Sequence, residues 1–270
     1  MSVHYDYVID TLQTLIPDAV EKQAVFLDFG CGAGRIVEKG IEAGLNFYGA
    51  DPYPRNRSDH YKEEADSKNI LDGRILQIED DILPFPDNHF DAVSTNMVFE
   101  HIPDITKPME EIKRVLKPGG VFLALFPTAD TLWEGHVNLY FAHWFKPKSK
   151  SMHSYLKFMK KLGLGKKDDG MTPDEWATHY QKYLHEYCFY RSMKEIDAIW
   201  MKNYNQKPES LACDHMVYRF SKHKRLSSLA PLGKNPVGQF LFKTVCHMRG
   251  ARVLLVQKPE SATSLQAQEA

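Results

Sequence analysis

The stretch VFLDFGCGAG, residues 25–34, places an Asp and three glycines where an apolar run ends. Gly30, Gly32 and Gly34 carry no Cβ, so a ligand can lie directly against backbone N–H groups at the start of the following helix. Dinucleotide-binding turns have the spacing GxGxxG, whereas the spacing here is GxGxG. The carboxylate of Asp28 favours a cationic ligand group over a pyrophosphate, because two anions repel each other.

Further acidic positions follow two later apolar runs. Asp51 ends the run NFYGAD, where a carboxylate can accept hydrogen bonds from ribose hydroxyls. In QIEDDILPFPD an acidic side chain can accept a hydrogen bond from an adenine amino group, and Ile82 and Leu83 can pack against the ring. We assign that acidic role to Asp81, with Asp80 as the alternative. These positions predict a ligand with an amino group, a ribose and little phosphate.

Two places offer a general base for a hydroxyl acceptor. In FEHIPD, His101 follows the fourth apolar run, and packing or capping of the next helix is the interpretation we favour over catalysis. In TLWEGHVNLYFAHWF, Glu134, His136 and His143 lie among aromatic residues, as a sugar or another ring-shaped acceptor requires. An aromatic core whose histidines are satisfied by their neighbours explains that stretch equally well. The spacings fit no familiar pattern of metal ligands, so we predict no metal site.

The segment 146–167 carries eight lysines and no acidic residue, with apolar residues between the lysines. Such a patch can lie on an anionic membrane or hold a phosphorylated, lipid-linked acceptor. A charge run is more often a solvated loop, and a loop is the interpretation we favour.

The elements that position these residues follow from the apolar pattern. Helical periodicity predicts helices over 34–44 and 107–116, and Pro118, Gly119 and Gly120 end the second helix and turn the chain into the next strand. Alternation of strands and helices predicts a parallel sheet covered on both faces, with the ligand at the carboxyl ends of the strands. Buried strands are predicted over 24–30, 46–51, 74–80, 90–96 and 121–127.

The second half of the chain has a different composition. Residues 131–220 are rich in Trp, Tyr, His and Met and are too many for a connecting loop, so they predict a helical insertion that shapes a second ligand's pocket. The run ARVLLVQK predicts a last strand that rejoins the sheet. We therefore predict a cofactor-binding core, a helical acceptor-binding insertion or lid, a C-terminal return to the core and a frayed tail, over 1–127, 128–220, 221–258 and 259–270 respectively.

The motifs DFGCGAG, YGADPYP, DDILPFPDNHFDAV, NMVFEHIPD and EIKRVLKPGG occur in this order. They resemble the class I S-adenosylmethionine-dependent methyltransferases, in the branch with LPFPDxxFDxV and RVLKPGG. The resemblance covers about residues 20–127. It implies a Rossmann-like α/β fold with seven mostly parallel strands, the last antiparallel, and an insertion after strand five.

The same resemblance implies the roles of individual residues. The turn from Asp28 to Gly34 would cradle the methionine part of S-adenosylmethionine, and Asn96 with Met97 would line the cofactor after strand four. The stretch 131–145 is similar to methyltransferases associated with surface-polysaccharide and glycan assembly. The expected cofactor contacts are Asp28, Phe29, Gly30, Cys31, Gly32, Gly34, Arg35, Asp51, Pro52, Asp80, Asp81, Ile82, Asn96 and Met97.

The net charge of −1 gives no indication of a nucleic-acid partner. Four scattered cysteines without a CxxC pair, and an N-terminus without a signal-peptide pattern, favour a reducing cytoplasm. We predict a methyltransferase that methylates a hydroxyl of a sugar or glycan intermediate. His136 is the expected base, and Glu134, His101 and His143 are the other catalytic candidates. The alternatives are methylation of another small molecule or lipid at oxygen, nitrogen or carbon, and a non-catalytic cofactor-binding protein.

Overall fold

The apolar runs form the strands of one large sheet and a separate hairpin. The computed structural model describes residues 3–53, 59–68, 70, 73–167, 170–249 and 251–260. The strands are β1 Val25–Phe29, β2 Asn46–Asp51, β3 Ile75–Gln77, β4 Phe90–Asn96, β5 Leu116–Phe126, β6 Trp133–Glu134, β7 Leu139–Tyr140, β8 Glu209–Ser210 and β9 Arg252–Gln257.

Nine α-helices lie within the described ranges. They are α1 Val3–Leu15, α2 Arg35–Glu42, α3 Asp59–Ser67, α4 Thr106–Val115, α5 Lys150–Lys161, α6 Pro173–Tyr187, α7 Met193–Tyr204, α8 Ala212–Ser221 and α9 Pro236–Arg249. Short 3₁₀ helices cover Phe99–His101, Ala142–Trp144 and Ser227–Lys234.

The large sheet has seven strands in the order β3-β2-β1-β4-β5-β9-β8. Strands β1 to β5 pair in parallel, and β9 pairs antiparallel with both β5 and β8. The prediction of a Rossmann-like, mostly parallel seven-stranded sheet with an antiparallel last strand is confirmed. The carboxyl ends of β1, β2 and β4 therefore meet at one edge, where a ligand site is expected.

Helices cover both faces of this sheet, because successive side chains of a strand point to opposite faces. Phe26 of β1 packs with α1 and α2 in one core cluster. Its neighbours Leu27 and Phe29 pack in the other cluster with α4 and α7. The sheet is thus a buried middle layer that holds the strand ends in fixed positions.

Two predicted strand boundaries differ from the structure by three residues or more. Strand β3 ends at Gln77 rather than at Asp80, because a tight turn follows in which Asp80 and Asp81 have positive φ. Strand β5 begins at Leu116, so Pro118, Gly119 and Gly120 do not form a turn before it. They lie in an irregularity of the ladder, where Gly119 has a φ of 76°.

The segment predicted as an insertion has two parts, one with a core of its own and one that packs on the sheet. The β6–β7 hairpin, α5 and α6 share a core of their own around Trp176 and Leu156. Helix α7 instead places Trp200 against the sheet, and β8 joins the sheet. The predicted division at residues 128 and 220 stays a prediction.

The favoured interpretation of 146–167 as a loop is wrong for most of the segment, because α5 occupies its middle. Ser149 caps this helix by accepting a hydrogen bond from the N–H of Met152, and Met152 and Leu156 are buried. The helix is thus held by burial of one apolar side, while Lys150 and Lys161 are exposed. In the part of the chain that the structure describes, no helix is long and apolar enough to cross a membrane. Most of the predicted tail, residues 261–270, lies outside the described residues.

Candidate active site

The glycine turn lies where β1 ends and α2 begins, at the carboxyl edge of the sheet. Gly30, Gly32 and Gly34 have φ values of 73°, 53° and 70°. A Cβ on Gly30 would come within 2.5 Å of Val98, and one on Gly34 within 2.3 Å of Ile75. Around a Cβ on Gly32, the nearest atom would be 3.8 Å away. Gly32 is therefore where the turn leaves room for a ligand against the backbone.

Asp28 lies near the end of β1 and is only 3% exposed. Ser94 of the neighbouring strand β4 donates a hydrogen bond of 3.0 Å to its Oδ1. Burial raises the pKa of Asp28 to about 7; the Ser94 bond opposes this rise, and the nearby Asp51 adds to it. A cationic group bound here would stabilise the carboxylate in place of water.

Asp51 ends β2 and holds the glycine turn in place. Its Oδ2 accepts a hydrogen bond from the Gly32 N–H at 3.0 Å, and its Oδ1 accepts one from the Tyr53 N–H at 2.9 Å. The Tyr53 hydroxyl donates to the Gly32 carbonyl at 2.7 Å. Burial raises the pKa of Asp51, and the two backbone bonds limit that rise. Sequence reasoning missed Tyr53, whose sole signal was an aromatic ring two residues after Asp51.

The predicted adenine contacts lie on an exposed turn after β3. Asp80 and Asp81 have φ values of 50° and 58°, and the Ile82 N–H donates to the Glu79 carbonyl at 2.9 Å. Two left-handed central residues are typical of a type I′ turn. Both carboxylates are exposed, so the geometry does not choose between them. Ile82 is 51% exposed and can meet a ring, whereas Leu83 is buried in the core.

Asn96 ends β4 beside the same edge of the sheet, and Met97 follows it. The Oδ1 of Asn96 is buried and has no hydrogen-bond partner among the described residues. Met97 has a φ of 57°, and its N–H donates to the Leu125 carbonyl at 2.7 Å. An unpartnered buried acceptor is costly, and a donor on a bound ligand would satisfy it.

Four other predicted contacts offer less to a ligand. The Arg35 side chain lies on an exposed helix face and pairs with Glu64 at 3.0 Å. Pro52 is exposed beyond the end of β2. Phe29 and Cys31 are buried in the two cores below the turn. Any part that these residues play at the turn would therefore come from their backbone.

Glu134 and His136 form a hydrogen-bonded pair in the segment after β5. Glu134 is 1% exposed, and its Oε1 lies 2.8 Å from both the backbone nitrogen and Nδ1 of His136. The Tyr190 hydroxyl lies 3.0 Å from the same ring nitrogen. Burial would raise the pKa of Glu134, but the bonds from His136 and Tyr190 outweigh it, and the pKa is lowered. We assign the proton on Nδ1, which leaves Nε2 of His136 able to accept one.

His101 lies against this pair, although it follows a different strand. The rings of His101 and His136 meet edge to face with their centroids 5.0 Å apart. The Nδ1 of His101 donates to the Tyr187 carbonyl at 2.6 Å. The sequence suggested two separate places for a base, and the structure brings them together in one cluster.

Cys188 adds a thiol to this cluster that sequence spacing could not reveal. His101, His136 and Cys188 place atoms of metal-ligand type within 4.8 Å of one another. The Cys188 Sγ lies 3.8 Å from Nδ1 of His136, but that nitrogen is already shared by Glu134 and Tyr190. This geometry is that of a histidine oriented by a carboxylate, and the absence of a metal stays a prediction.

Two more buried ionisable groups border the pair. Glu100 is 2% exposed, and neither of its carboxylate oxygens has a hydrogen-bond partner among the described residues. Burial raises the pKa of Glu100 to about 8, and the charge of Glu134 contributes to the rise. His143 places its Nδ1 3.5 Å from Glu134, and burial lowers the pKa of this histidine. At neutral pH, Glu100 and His143 are therefore mostly uncharged, and Glu134 carries the negative charge.

A cavity of about 260 Å³ opens beside this cluster. Tyr190, Cys188 and His143 line it together with apolar side chains such as Phe145 and Leu184. A cavity lined by both apolar side chains and a few polar groups is typical of a binding site for a small molecule.

Arg191 ties the loop after β4 to the end of the insertion. Its Nη1 donates to the Phe99 carbonyl at 3.0 Å, and its Nη2 donates to the carbonyls of Ile102 and Pro103 at 2.7 Å each. The Phe189 N–H donates to the Glu100 carbonyl at 2.6 Å. These bonds hold Glu100 and His101 against the insertion, and no pattern around Arg191 in the sequence indicated this role.

Comparison with known proteins agrees with the position of the glycine turn. Residues 27–124 match the family described as a methyltransferase domain. The arginine-hydroxylase NDUFAF5, mitochondrial, of Rattus norvegicus is 29% identical over 143 residues, which are 51% of this chain and 40% of that protein. Sterol 24-C-methyltransferase ERG6B of Gibberella zeae is 37% identical over 102 residues, which are 36% of this chain and 26% of that protein.

A solved structure of phosphoethanolamine N-methyltransferase 2 from Haemonchus contortus aligns with a TM-score of 0.45 at 17% identity, over 88% of this chain and 49% of that one. The chain spans less than half the length of the rat and Gibberella relatives. The matched residues 27–124 include β2 to β4, most of β1 and β5, and every predicted cofactor contact.

Proposed function

We propose that this protein is an S-adenosylmethionine-dependent methyltransferase that methylates a hydroxyl group of a sugar or glycan intermediate. The observation that carries this proposal is the Glu134–His136 pair beside a cavity, in the segment that follows the methyltransferase domain. Hydroxyl acceptors need a base more than thiols do, because a hydroxyl loses its proton less readily. Aromatic residues around the cavity suit an acceptor with a ring.

The residues at the sheet edge fit S-adenosylmethionine. The buried Asp28 offers a carboxylate for a cationic amino group, and Gly32 offers an uncovered stretch of backbone. The unpartnered Oδ1 of Asn96 calls for a donor, and Asp51 ends the strand where ribose hydroxyls are bound in related folds. Asp80 or Asp81 would accept from the adenine.

When bound, S-adenosylmethionine supplies an electrophilic methyl group on a sulfonium sulfur. The Nε2 of His136 would take the proton that the acceptor hydroxyl loses on methylation. Glu134 stabilises the imidazolium that forms, and Tyr190 holds the carboxylate in place. A positioned general base contributes about 10²–10⁴ in rate. The bonds from Arg191 keep His101 and Glu100 against this base.

The predicted membrane or lipid-linked contact of residues 146–167 remains part of the proposal. Helix α5 exposes Phe158 by 58%, and Leu162 just after the helix by 58%, beside its lysines. The four cysteines are free thiols, which supports a reducing cytoplasm as the compartment. We propose no nucleic-acid partner, since the chain has a net charge of −1.

The test uses methyl-labelled S-adenosylmethionine, the purified protein and an extract of its host. The extract is then separated into protein, lipid, polysaccharide and small-molecule pools, with Asp28→Ala as the control. Label in the polysaccharide or lipid-linked pool that disappears in the control is the expected result. Label in the small-molecule pool alone, or in lipid without a glycan, would overturn the assignment of the acceptor. Cofactor binding without transfer would support a non-catalytic protein.

The rat relative is named a hydroxylase, so the mass of the product is needed to distinguish methylation from hydroxylation. Methyl transfer adds one CH₂ unit to the acceptor, whereas hydroxylation adds one oxygen atom. Mass spectrometry of the product separates these reactions, and gain of oxygen without label would refute methyl transfer.

A further inference from the structure

The outward face of α9 is apolar. Five apolar residues of α9 follow one another at spacings of three, one, four and three positions, which places them on one side of the helix. The opposite side, with Phe242 and Cys246, is buried against α8. The exposed fractions reach 70% for Val237 and Phe240 and 52% for Leu241. We call the following five residues the α9 face: Val237, Phe240, Leu241, Val245 and Met248.

Neighbouring segments adjoin the α9 face at both ends. Leu229 and Leu232, in the 3₁₀ helix before α9, are 39% and 45% exposed. At the other end, the Met248 carbonyl accepts a hydrogen bond of 3.1 Å from the N–H of Leu132, next to β6. An exposed apolar surface of this extent marks an interaction site.

The chain segment that contains the α9 face is rich in basic residues. Residues 215–259 contain nine Lys or Arg residues and no Asp or Glu, in a chain whose net charge is −1. Lys224, Arg225, Lys234 and Lys243 are exposed, and no ion pair of theirs is recorded among the described residues. A second copy of this chain would bring the same positive charges against these, whereas an anionic surface would complement them.

The α9 face also lies beside the candidate active site. The N–H of Phe141 donates to the Leu132 carbonyl at 2.6 Å, and the rings of Phe141 and Trp144 lie 5.1 Å apart. These two side chains are 42% and 53% exposed. The strand β6, which follows Leu132, carries Glu134. Backbone hydrogen bonds through Leu132 thus connect the end of α9 to the segment that holds the catalytic pair.

We propose that the α9 face docks on the surface of an anionic lipid bilayer, with α9 lying in the plane of the headgroups. A helix with an apolar side and a basic surround binds membranes in this way without spanning them. This inference rests on the proposed function for its purpose: docking brings the active-site segment to an acceptor that is anchored in the bilayer. The docking itself requires neither cofactor nor turnover.

The experiment is sedimentation of the protein with vesicles in the absence of cofactor and acceptor. Vesicles of phosphatidylcholine with about one third phosphatidylglycerol are compared with vesicles of phosphatidylcholine alone, at low and high salt. The test variant is Val237→Ser/Phe240→Ser/Leu241→Ser. The matched control is Val20→Ser, which changes a side chain that is 59% exposed at the start of the chain. A second test variant, Lys234→Gln/Lys243→Gln, removes charge and leaves the apolar face.

The wild type and Val20→Ser should bind the anionic vesicles, and high salt should weaken that binding. The triple variant should bind at least about tenfold less, and the charge variant should lose its preference for anionic lipid. Thermal midpoints of all variants should match the wild type within a few degrees. Equal binding by wild type and triple variant would overturn the proposal, as would a dimer of the wild type that the triple variant converts to a monomer. Absence of methyl transfer with intact vesicle binding would refute the proposed function and not the docking.

Discussion

The two sides of the candidate site are built in different ways. The cofactor side uses strand ends and backbone: Asp28, Asp51 and the glycine turn lie within one βαβ unit. The acceptor side uses side chains from three distant segments, with His101 after β4, His136 after β5 and Tyr190 after α6. The first construction depends on local geometry, and the second depends on how the insertion packs.

The two sides also differ in how they hold buried charge. Among the described residues, Asp28 has one side-chain hydrogen-bond partner, Ser94, and burial raises its pKa to about 7. Glu134 is equally hidden, but His136 and Tyr190 lower its pKa. The cofactor side is therefore ready for a cation to complete it, whereas the acceptor side contains its own cationic partner once His136 accepts a proton.

The largest expected effect concerns the acceptor side. Glu134→Gln and His136→Ala should each lower kcat by about 10²–10⁴, because each removes the oriented base. The double variant should lose no more than the more damaging single change, since the residues act as one unit. Single-turnover transfer of labelled methyl measures the rate, and calorimetry should show unchanged cofactor affinity.

His153→Ala, on α5, is the matched control for removal of a histidine and should retain full activity. Losses that multiply in the double variant would mean that Glu134 and His136 act independently. A loss of cofactor affinity equal to the loss of rate would mean that the cluster belongs to the cofactor side, and the comparison of the two sides would fail.

The next effect concerns the cofactor side. Asp28→Asn preserves the shape and the Ser94 contact but removes the charge, so cofactor affinity should fall by about 10- to 100-fold. With a pKa of about 7, wild-type Asp28 gains its charge as the pH rises through neutrality. Affinity should therefore increase between about pH 6 and about pH 7.5 in the wild type and stay nearly constant in the variant. Calorimetric titration at several pH values measures both.

A wild-type affinity that falls over this pH range would show that the protonated form of Asp28 binds the ligand. Asp87→Asn, on the exposed loop before β4, is the control for loss of a carboxylate. It should leave the affinity and its pH dependence unchanged.

A smaller effect separates two reasons for glycine at the turn, which are the left-handed backbone and the lack of space for a Cβ. Gly34 and Gly44 both have positive φ, at 70° and 76°. A Cβ on Gly34 would meet Ile75 at 2.3 Å, whereas one on Gly44 would meet nothing within 4 Å. Both changes to Ala should cost about 1–2 kcal/mol for the left-handed backbone, and Gly34→Ala about 1–3 kcal/mol more for the clash. Urea unfolding measures the difference, and equal losses would show that Ile75 yields without cost.

The cofactor side could be predicted largely from the sequence because its determinants are local. The glycine turn after β1 and the strand-end position of Asp51 follow from contiguous motifs. The choice between Asp80 and Asp81 as the adenine contact stayed open because both lie in one exposed turn. A sequence pattern does not distinguish adjacent acidic residues there. The short β3 was missed for the same reason, since nothing in the run marks the left-handed pair.

The acceptor side was predicted in its parts and not as a whole. The sequence identified Glu134, His136 and His101, but their convergence depends on the packing of the insertion and on Arg191. Contacts between residues so far apart in the sequence leave no periodic pattern within any one segment. The helix α5 was missed because its eight-lysine segment resembles a solvated loop, and burial of Met152 and Leu156 against α6 decides otherwise. Tertiary contacts thus override composition in this part of the chain.

The smallest expected effect tests how the acceptor side accommodates Glu100. Its pKa is raised to about 8, so folding binds a proton that the unfolded chain releases above its ordinary pKa of 4.5. The stability that this proton contributes is fully present below that ordinary pKa and is lost as the pH rises through about 8. Glu100→Gln is neutral at every pH, so its thermal midpoint should approach or exceed that of the wild type as the pH is raised from about 6 to about 9.

Glu111 provides the control because its pKa shift has the opposite sign. Arg114 and the Leu83 N–H donate to its carboxylate and lower its pKa, against the effect of burial. Its contribution is therefore present above its ordinary pKa and lost on acidification, so Glu111→Gln should be most destabilising at neutral pH and least in acid. If both variants changed with pH in the same direction, Glu100 would have a partner that stabilises its charge, and the acceptor side would hold two carboxylates rather than one.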